Sequence, residues 1–171
     1  MKKILLFACI AMGFVLASCE KEEIGGTATQ ALAGEWYVTA DAVDENGELV
    51  YEDLFGVGQF HINTYNTAAN VANEIWVDDL GNFWEFKVKA SANVNNYIFN
   101  TPDSVANAYY DCKVLIEGGK ILPAAATTPH GTAADSIVFY VSFDDDPYPA
   151  AYGYAKYKIS GYRYTGLASD D

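Results

Sequence analysis

The sequence predicts an all-β protein: a single antiparallel, up-and-down barrel of about eight to ten strands with at most one short helix. Three observations carry this. Apolar and polar residues alternate in Trp36–Ala40, Trp84–Val88 and Ile137–Phe143, so every second side chain falls on one sheet face. Turn signals such as Asn46-Gly47, Asp78-Asp79-Leu80-Gly81 and Gly118-Gly119 separate such runs, as consecutive hairpins require. No long segment after residue 30 carries the 3.6-residue period of an amphipathic helix. Sequential hairpins over roughly 130 residues favour a barrel or sandwich, and closing the sheet removes edges that invite aggregation.

Taken in order, Trp36, Val38 and Ala40 alternate with Glu35, Tyr37 and Thr39 in the first strand. Asn46-Gly47 turns Trp36–Val43 back into Glu48–Leu54. Gly56–Thr64 reads as the next strand, with Phe60 and Ile62 on one face, and Thr67–Asn73 as a short helix or an ordered loop. Glu74–Val77 and Asn82–Lys89 flank the turn Asp78-Asp79-Leu80-Gly81; Trp84, Phe86 and Val88 share a face in the second arm. Tyr97–Asn100, Tyr109–Glu117 and Lys120–Leu122 give shorter strands, the last two joined at Gly118-Gly119. Ile137, Phe139, Val141 and Phe143 line one face of the following strand. A turn at Pro147-Tyr148-Pro149 leads into Gly153–Tyr164.

Charge and composition exclude several functions. The chain of 171 residues has 23 acidic and 10 basic side chains, a formal charge of −13, which repels nucleic acid and anionic headgroups. Its cysteines are Cys9, Cys19 and Cys112, and no Cys/His set has zinc-site spacing. Asp144-Asp145-Asp146 offers oxygens to calcium but lacks the spaced pattern of an EF-hand loop, so ordinary turn chemistry is expected. The two histidines, His61 and His130, accompany no Gly-x-Ser-x-Gly elbow. A Ser136–His130–Asp135 grouping fails because adjacent strand residues point to opposite faces. No catalytic residue, metal site or cofactor is therefore expected. The 13 Tyr, 9 Phe and 3 Trp are many for this length; some must fill the barrel interior, but the C-terminal tyrosines exceed what one core face needs. Tyr148, Tyr152, Tyr154, Tyr157, Tyr162 and Tyr164 crowd the C-terminal region, where rigid amphipathic rings suit a glycan or a protein partner as well as a core.

The N-terminus has its own pattern. Lys2-Lys3, an apolar run from Ile4 to Leu16 and Leu16-Ala17-Ser18-Cys19 resemble the lipobox of bacterial lipoproteins. The run is shorter than the roughly 20 residues a membrane-spanning helix needs. The resemblance implies a signal peptide over 1–18, cleavage before Cys19, and acylation of that cysteine; a flexible tether over 19–33 then leads to a barrel domain over 34–171. Loss of Lys2 and Lys3 would take the formal charge from −13 to −15, and Cys112 would be left as the one thiol. Glu20-Lys21-Glu22-Glu23 is similar to the export signal of surface-displayed Bacteroidetes-type lipoproteins. The implied location is the outer membrane, lipid-anchored, at the cell surface.

A second resemblance covers most of the mature chain. Gly34-Glu35-Trp36 opens the first strand and Arg163, the one arginine, sits in the last. Lipocalins similarly start on Gly-x-Trp and pack a basic side chain from the last strand across that indole. Such a contact contributes about 0.5–2 kcal/mol, so Trp36 and Arg163 are expected to touch and close the barrel. Gly34–Ala40, Tyr65–Asn70, Glu74–Asp79 and Phe83–Lys87 look like a family of Bacteroidetes lipoproteins described as "lipid-binding putative hydrolase". The resemblance implies a lipocalin-like barrel. Strand alternation places Trp84, Phe86, Phe139 and Tyr157 inward, as the expected lining for a small apolar or amphipathic ligand. A binding module is the leading expectation; an esterase-type hydrolase, or an accessory protein meeting glycan or an outer-membrane partner through its tyrosines, are the alternatives.

Overall fold

The structure is a computed structural model that describes residues 26–168 and 170. Cys19, the expected signal peptide and the first part of the expected tether lie outside the described residues. The strands are β1 (Gly34–Val43), β2 (Leu49–Tyr51), β3 (Phe60–Asn66), β4 (Glu74–Asp78), β5 (Lys87–Asn93), β6 (Ile98–Asn100), β7 (Val105–Ala106), β8 (Lys113–Thr127), β9 (Ala133–Phe143) and β10 (Lys156–Arg163), with one four-residue helix, α1 (Pro149–Tyr152), among the described residues. All pairings are antiparallel, in the order β10-β9-β8-β6-β5-β4-β3-β1, and β10 pairs back onto β1. Eight strands therefore form a closed barrel; β2 extends the upper part of β1 and β7 flanks β8.

Alternation decides which residues fill it. Trp36, Val38, Ala40, Ile62, Val77, Val88, Ile137, Phe139, Val141 and Ile159 are all buried, while most of their strand neighbours face outward at least in part. Phe99 and Phe139 meet edge to face at 5.7 Å across the interior. An eight-stranded barrel is just wide enough for side chains to fill, and these side chains fill it.

The seam runs from Trp36↔Arg163 to Val43↔Lys156 without a break in register. At its lower end the Arg163 guanidinium lies 4.4 Å from the Trp36 ring centre. The same side chain donates to the Ala33 carbonyl (2.8 Å) and to Asp135 (3.1 Å). The Trp36 indole donates to Thr64 Oγ1 at 2.8 Å, and that hydroxyl donates to the Leu32 carbonyl at 2.6 Å. Backbone hydrogen bonds such as Leu32 N–H to the Thr29 carbonyl (2.8 Å) shape a turn over 27–33 that sets Leu32, fully buried, under the barrel. The last part of the stretch expected as tether is thus folded onto the lower end. Two glycines make room here. A Cβ on Gly34 would come within 2.2 Å of the Arg163 guanidinium, and one on Gly161 within 2.1 Å of the Tyr37 carbonyl.

Several boundaries differ from the sequence expectation. β8 is one strand, not two: Gly118-Gly119 forms a bulge with a register shift between Glu117 and Lys120, because Gly118 takes a left-handed φ of 61° that glycine adopts freely. Gly56–Gln59 and Asn82–Phe86 are loop rather than strand, and Thr67–Asn73 forms turns, not a helix. The expected turn at Pro147–Pro149 runs into α1.

Because Arg163 both stacks and hydrogen-bonds, Arg163→Met should lower unfolding free energy by about 1–3 kcal/mol. Arg163→Lys should fall between the two, since an ammonium cannot stack flat or bond in two directions at once. Urea denaturation followed by tryptophan emission measures this; an unchanged midpoint for the methionine variant contradicts it.

Candidate functional site

The upper end of the barrel is built from four stretches, 44–59, 79–86, 101–112 and 144–155, which connect the strand tops. Two neighbouring carboxylates organise it. Asp79, fully buried, accepts backbone N–H groups from Gly81 (2.9 Å), Phe83 (3.2 Å), Trp84 (2.8 Å) and Phe86 (2.8 Å). Burial pushes its carboxyl above the usual range, against those four donors, which favour the ionised form. The result is a tight loop that presents Phe83 and Trp84 inward over the barrel top and gives Glu85 a positive φ of 54°. Asp78 accepts the hydroxyls of Tyr65 (2.7 Å) and Tyr109 (2.6 Å), with Lys87 at 3.6 Å. Burial alone would raise Asp78; the Tyr109 and Tyr65 hydroxyls, the Leu80 N–H and Lys87 together outweigh it and hold the carboxyl low.

Over this scaffold lies a stack of aromatic rings running from solvent to core. Phe55, 40% exposed, meets Phe83, Trp84, Tyr148 and Tyr157 with ring centres 5.5–6.2 Å apart. Phe83 stacks on Phe60 at 5.6 Å and touches Tyr157 edge-on at 5.1 Å. Trp84 stacks on Phe143 at 4.8 Å, and Phe143 meets Phe86 at 5.5 Å. Beneath, the hydroxyls of Tyr154 and Tyr157 each donate to Asp146 Oδ2 at 2.7 Å and also contact each other. Burial, with the Asp146 carboxylate adding to it, pushes both phenols well above their usual range. They remain neutral, and so serve as hydrogen-bond donors. Beside Trp84, a surface concavity of about 420 Å³ is lined by Gly81, Phe83, Trp84, Glu85, Tyr110 and Asp145. Asp145 holds its wall together, accepting from the Trp84 indole at 3.1 Å and the Tyr110 hydroxyl at 2.8 Å.

Of the four residues expected to line a ligand chamber, Trp84 is half-buried at this mouth. Phe86, Phe139 and Tyr157 are buried in the packed core, at 0–1% exposure. Trp84 and Tyr157 come together, 5.8 Å between ring centres; Phe139 packs instead on Phe99, toward the barrel middle. Phe55 and Phe83 were not expected at the site because they lie on loops, where period-two alternation says nothing, and Tyr148 stood out only as one of the C-terminal tyrosines suited to a glycan or protein partner. Of the C-terminal tyrosines, Tyr148 and Tyr152 are exposed here, whereas Tyr154, Tyr157 and Tyr162 are buried.

Other chemistry-bearing groups are occupied elsewhere. His61 stacks on Tyr37 at 4.9 Å and meets Tyr164 edge-on on the outer wall. His130 faces Asp170 at 3.4 Å, Ser136 donates to the Gly161 carbonyl and Asp135 pairs with Arg163, so these three do not converge. Ligand atoms of Cys112, Asp144 and Asp145 lie within 4.8 Å of one another, a set with the donors for a divalent metal. Asp145 is already committed to Trp84 and Tyr110, Asp144 accepts the Lys113 N–H at 2.7 Å, and Cys112 Sγ accepts from Asn107 at 3.4 Å.

In comparisons with known proteins, the family described as "lipid-binding putative hydrolase" matches residues 21–168. Among curated proteins no match is found.

If Asp79 shapes the mouth, Asp79→Asn should destabilise the fold by about 1–3 kcal/mol, since the amide nitrogen it introduces cannot accept the N–H groups it faces. Trp84 should loosen with the loop, moving tryptophan emission to longer wavelength. An unshifted spectrum with wild-type stability contradicts this role.

Proposed function

The chain belongs to the family described as "lipid-binding putative hydrolase", and from that membership and the aromatic upper end we propose that it binds a lipid or other small apolar or amphipathic ligand there. The observation that carries this reading is the unbroken run of rings from exposed Phe55, through half-buried Phe83 and Trp84, to buried Tyr157 and Phe143. Apolar surface removed from water is worth about 25 cal/mol per Å², so an acyl segment laid along these rings gains affinity without a preformed chamber. The interior itself is packed. A chain that reaches Tyr157, Phe86 or Phe139 does so by displacing the Phe83–Trp84 loop, which the Asp79 hydrogen bonds and ring contacts hold down.

The hydrolase half of the family description finds less support in this geometry, because Ser136, Asp135 and both histidines are engaged apart from one another. A glycan is the second reading, favoured by the exposure of Tyr148 (41%) and Tyr152 (45%) at the same end, where rings can stack on a sugar.

We further propose that the protein is a lipoprotein, acylated at Cys19 and displayed on the outer membrane. Acyl chains contribute about 0.8 kcal/mol per buried methylene, and two or more give durable anchoring. The turn over 27–33 packs under the lower end, so a tether leaving it would direct the aromatic end away from the membrane.

Titration with a neutral monoacylglycerol should quench or blue-shift tryptophan emission at micromolar concentration, and Trp84→Ala should weaken binding about tenfold. No spectral change at tens of micromolar, with an oligosaccharide binding instead, favours the glycan. For the anchor, wild-type protein made in a bacterial host should fractionate with membranes and Cys19→Ser should become soluble; equal partitioning of the two contradicts acylation.

A further inference from the structure

The charge of this molecule is segregated along the barrel axis. The four upper stretches, 44–59, 79–86, 101–112 and 144–155, hold 12 carboxylates and no Lys, Arg or His. The lower stretches 26–33, 67–73, 94–97 and 128–132 hold no Asp, Glu, Lys or Arg. Three lysines border the upper stretches as the first residues of β5, β8 and β10; Lys87 pairs there with Asp78 and Lys156 with Glu117, while Lys89 pairs with Glu74 and Arg163 with Asp135 farther down the barrel. Lys113, the first residue of β8 and beside Asp144, is the exposed base that starts a strand at the upper end.

The same end carries many of the exposed large apolar side chains, Leu49 (62%), Tyr51 (42%), Phe55 (40%), Tyr148 (41%) and Tyr152 (45%) among them. The 420 Å³ concavity joins the two features: Phe83, Trp84 and Tyr110 supply rings, and Glu85 and Asp145 supply carboxylates, with no base in its lining. Aromatic faces attract organic cations through the ring quadrupole, more strongly where water is excluded. A surface of one sign also attracts an approaching ion of the other sign. A fatty-acid carboxylate or a phosphate meets repulsion at the same place.

We propose that the upper end recognises an amphiphile whose polar group is an organic ammonium, seated between Phe83, Trp84, Tyr110 and the carboxylates of Glu85 and Asp145, with its apolar body on Phe55 and Tyr148. This deepens the ligand-binding reading above and rests on it. Charge complementarity is what selects the occupant, because the exposed rings alone would accept any apolar chain.

The test compares dodecyltrimethylammonium, monododecanoylglycerol and dodecanoate, each below its micelle concentration, by calorimetry and tryptophan emission, with circular dichroism confirming the fold. The ammonium compound should bind at least about tenfold tighter than the carboxylate of equal chain length. The advantage should shrink between low salt and about 0.5 M salt, as screening requires. Glu85→Gln with Asp145→Asn should abolish the preference, lowering affinity for the ammonium compound more than for the neutral amphiphile. Glu35→Gln with Glu117→Gln, an equal charge change on the barrel wall, should leave it intact. Dodecanoate binding as well as the ammonium compound overturns this inference and leaves the binding reading standing. So does an equal loss of preference in the wall variant, which would make the attraction a property of net charge. Binding of none of the three overturns the reading beneath it.

Discussion

The antiparallel seam between the first and last strands is the constraint on which everything else depends. With β1 and β10 paired over their whole shared length, the meander becomes a ring and every inward side chain is committed to a common interior. Arg163 anchors that seam at its lower end. It covers the Trp36 ring, takes up the Ala33 carbonyl and reaches Asp135, so a single side chain links the last strand, the first strand, the turn before it and β9. With Thr64 bridging the indole to Leu32, the lower end is sealed by polar groups that satisfy each other.

The upper end is closed in another way. Its plug consists of rings carried by loops, and what holds those loops is a small number of buried or half-buried carboxylates: Asp79 gathering four backbone N–H groups, Asp78 two phenols, Asp146 two more. Hydrogen bonds to ionised acceptors are stronger than neutral ones, so the scaffold is firm, yet the rings themselves are kept by contacts that a ligand's apolar surface can replace. One end is thus sealed by a cation, an indole and their hydrogen bonds, and the other by a plug of stacked rings. Acidic and aromatic residues gather at the second end, opposite the N-terminal turn.

Much of the barrel was legible because strand alternation is a strong signal: Trp36, Val38, Ile62, Val88 and Phe139 each fall on the apolar face of an alternating run, and all are buried. Asn46-Gly47 marked its hairpin for the physical reason that glycine accepts the positive φ found at Gly47. Gly118-Gly119 misled, since the same freedom also permits a bulge inside a strand. The mouth was harder to see. Trp84 and Phe86 continue the alternation of Val88, but their loop is shaped by Asp79, whose partners are backbone N–H groups that leave no trace in composition. Phe55 and Tyr148 sit far apart in sequence and meet only because closure brings the two loops over the same opening. The filled interior was equally hidden, because side-chain volumes and facing positions must be summed around the ring.

The three tryptophans offer the most direct test of the claim that ligand is held at the aromatic end. Trp36 lies buried at the sealed end, Trp76 on the outer wall beneath Lys87 and Lys89, and Trp84 at the mouth. In a nitrogen–proton NMR titration with a bound amphiphile, the indole signal of Trp84 should shift strongly while those of Trp36 and Trp76 stay in place. A shift centred on Trp36 or Trp76, or the same small shift in all three, would contradict the account.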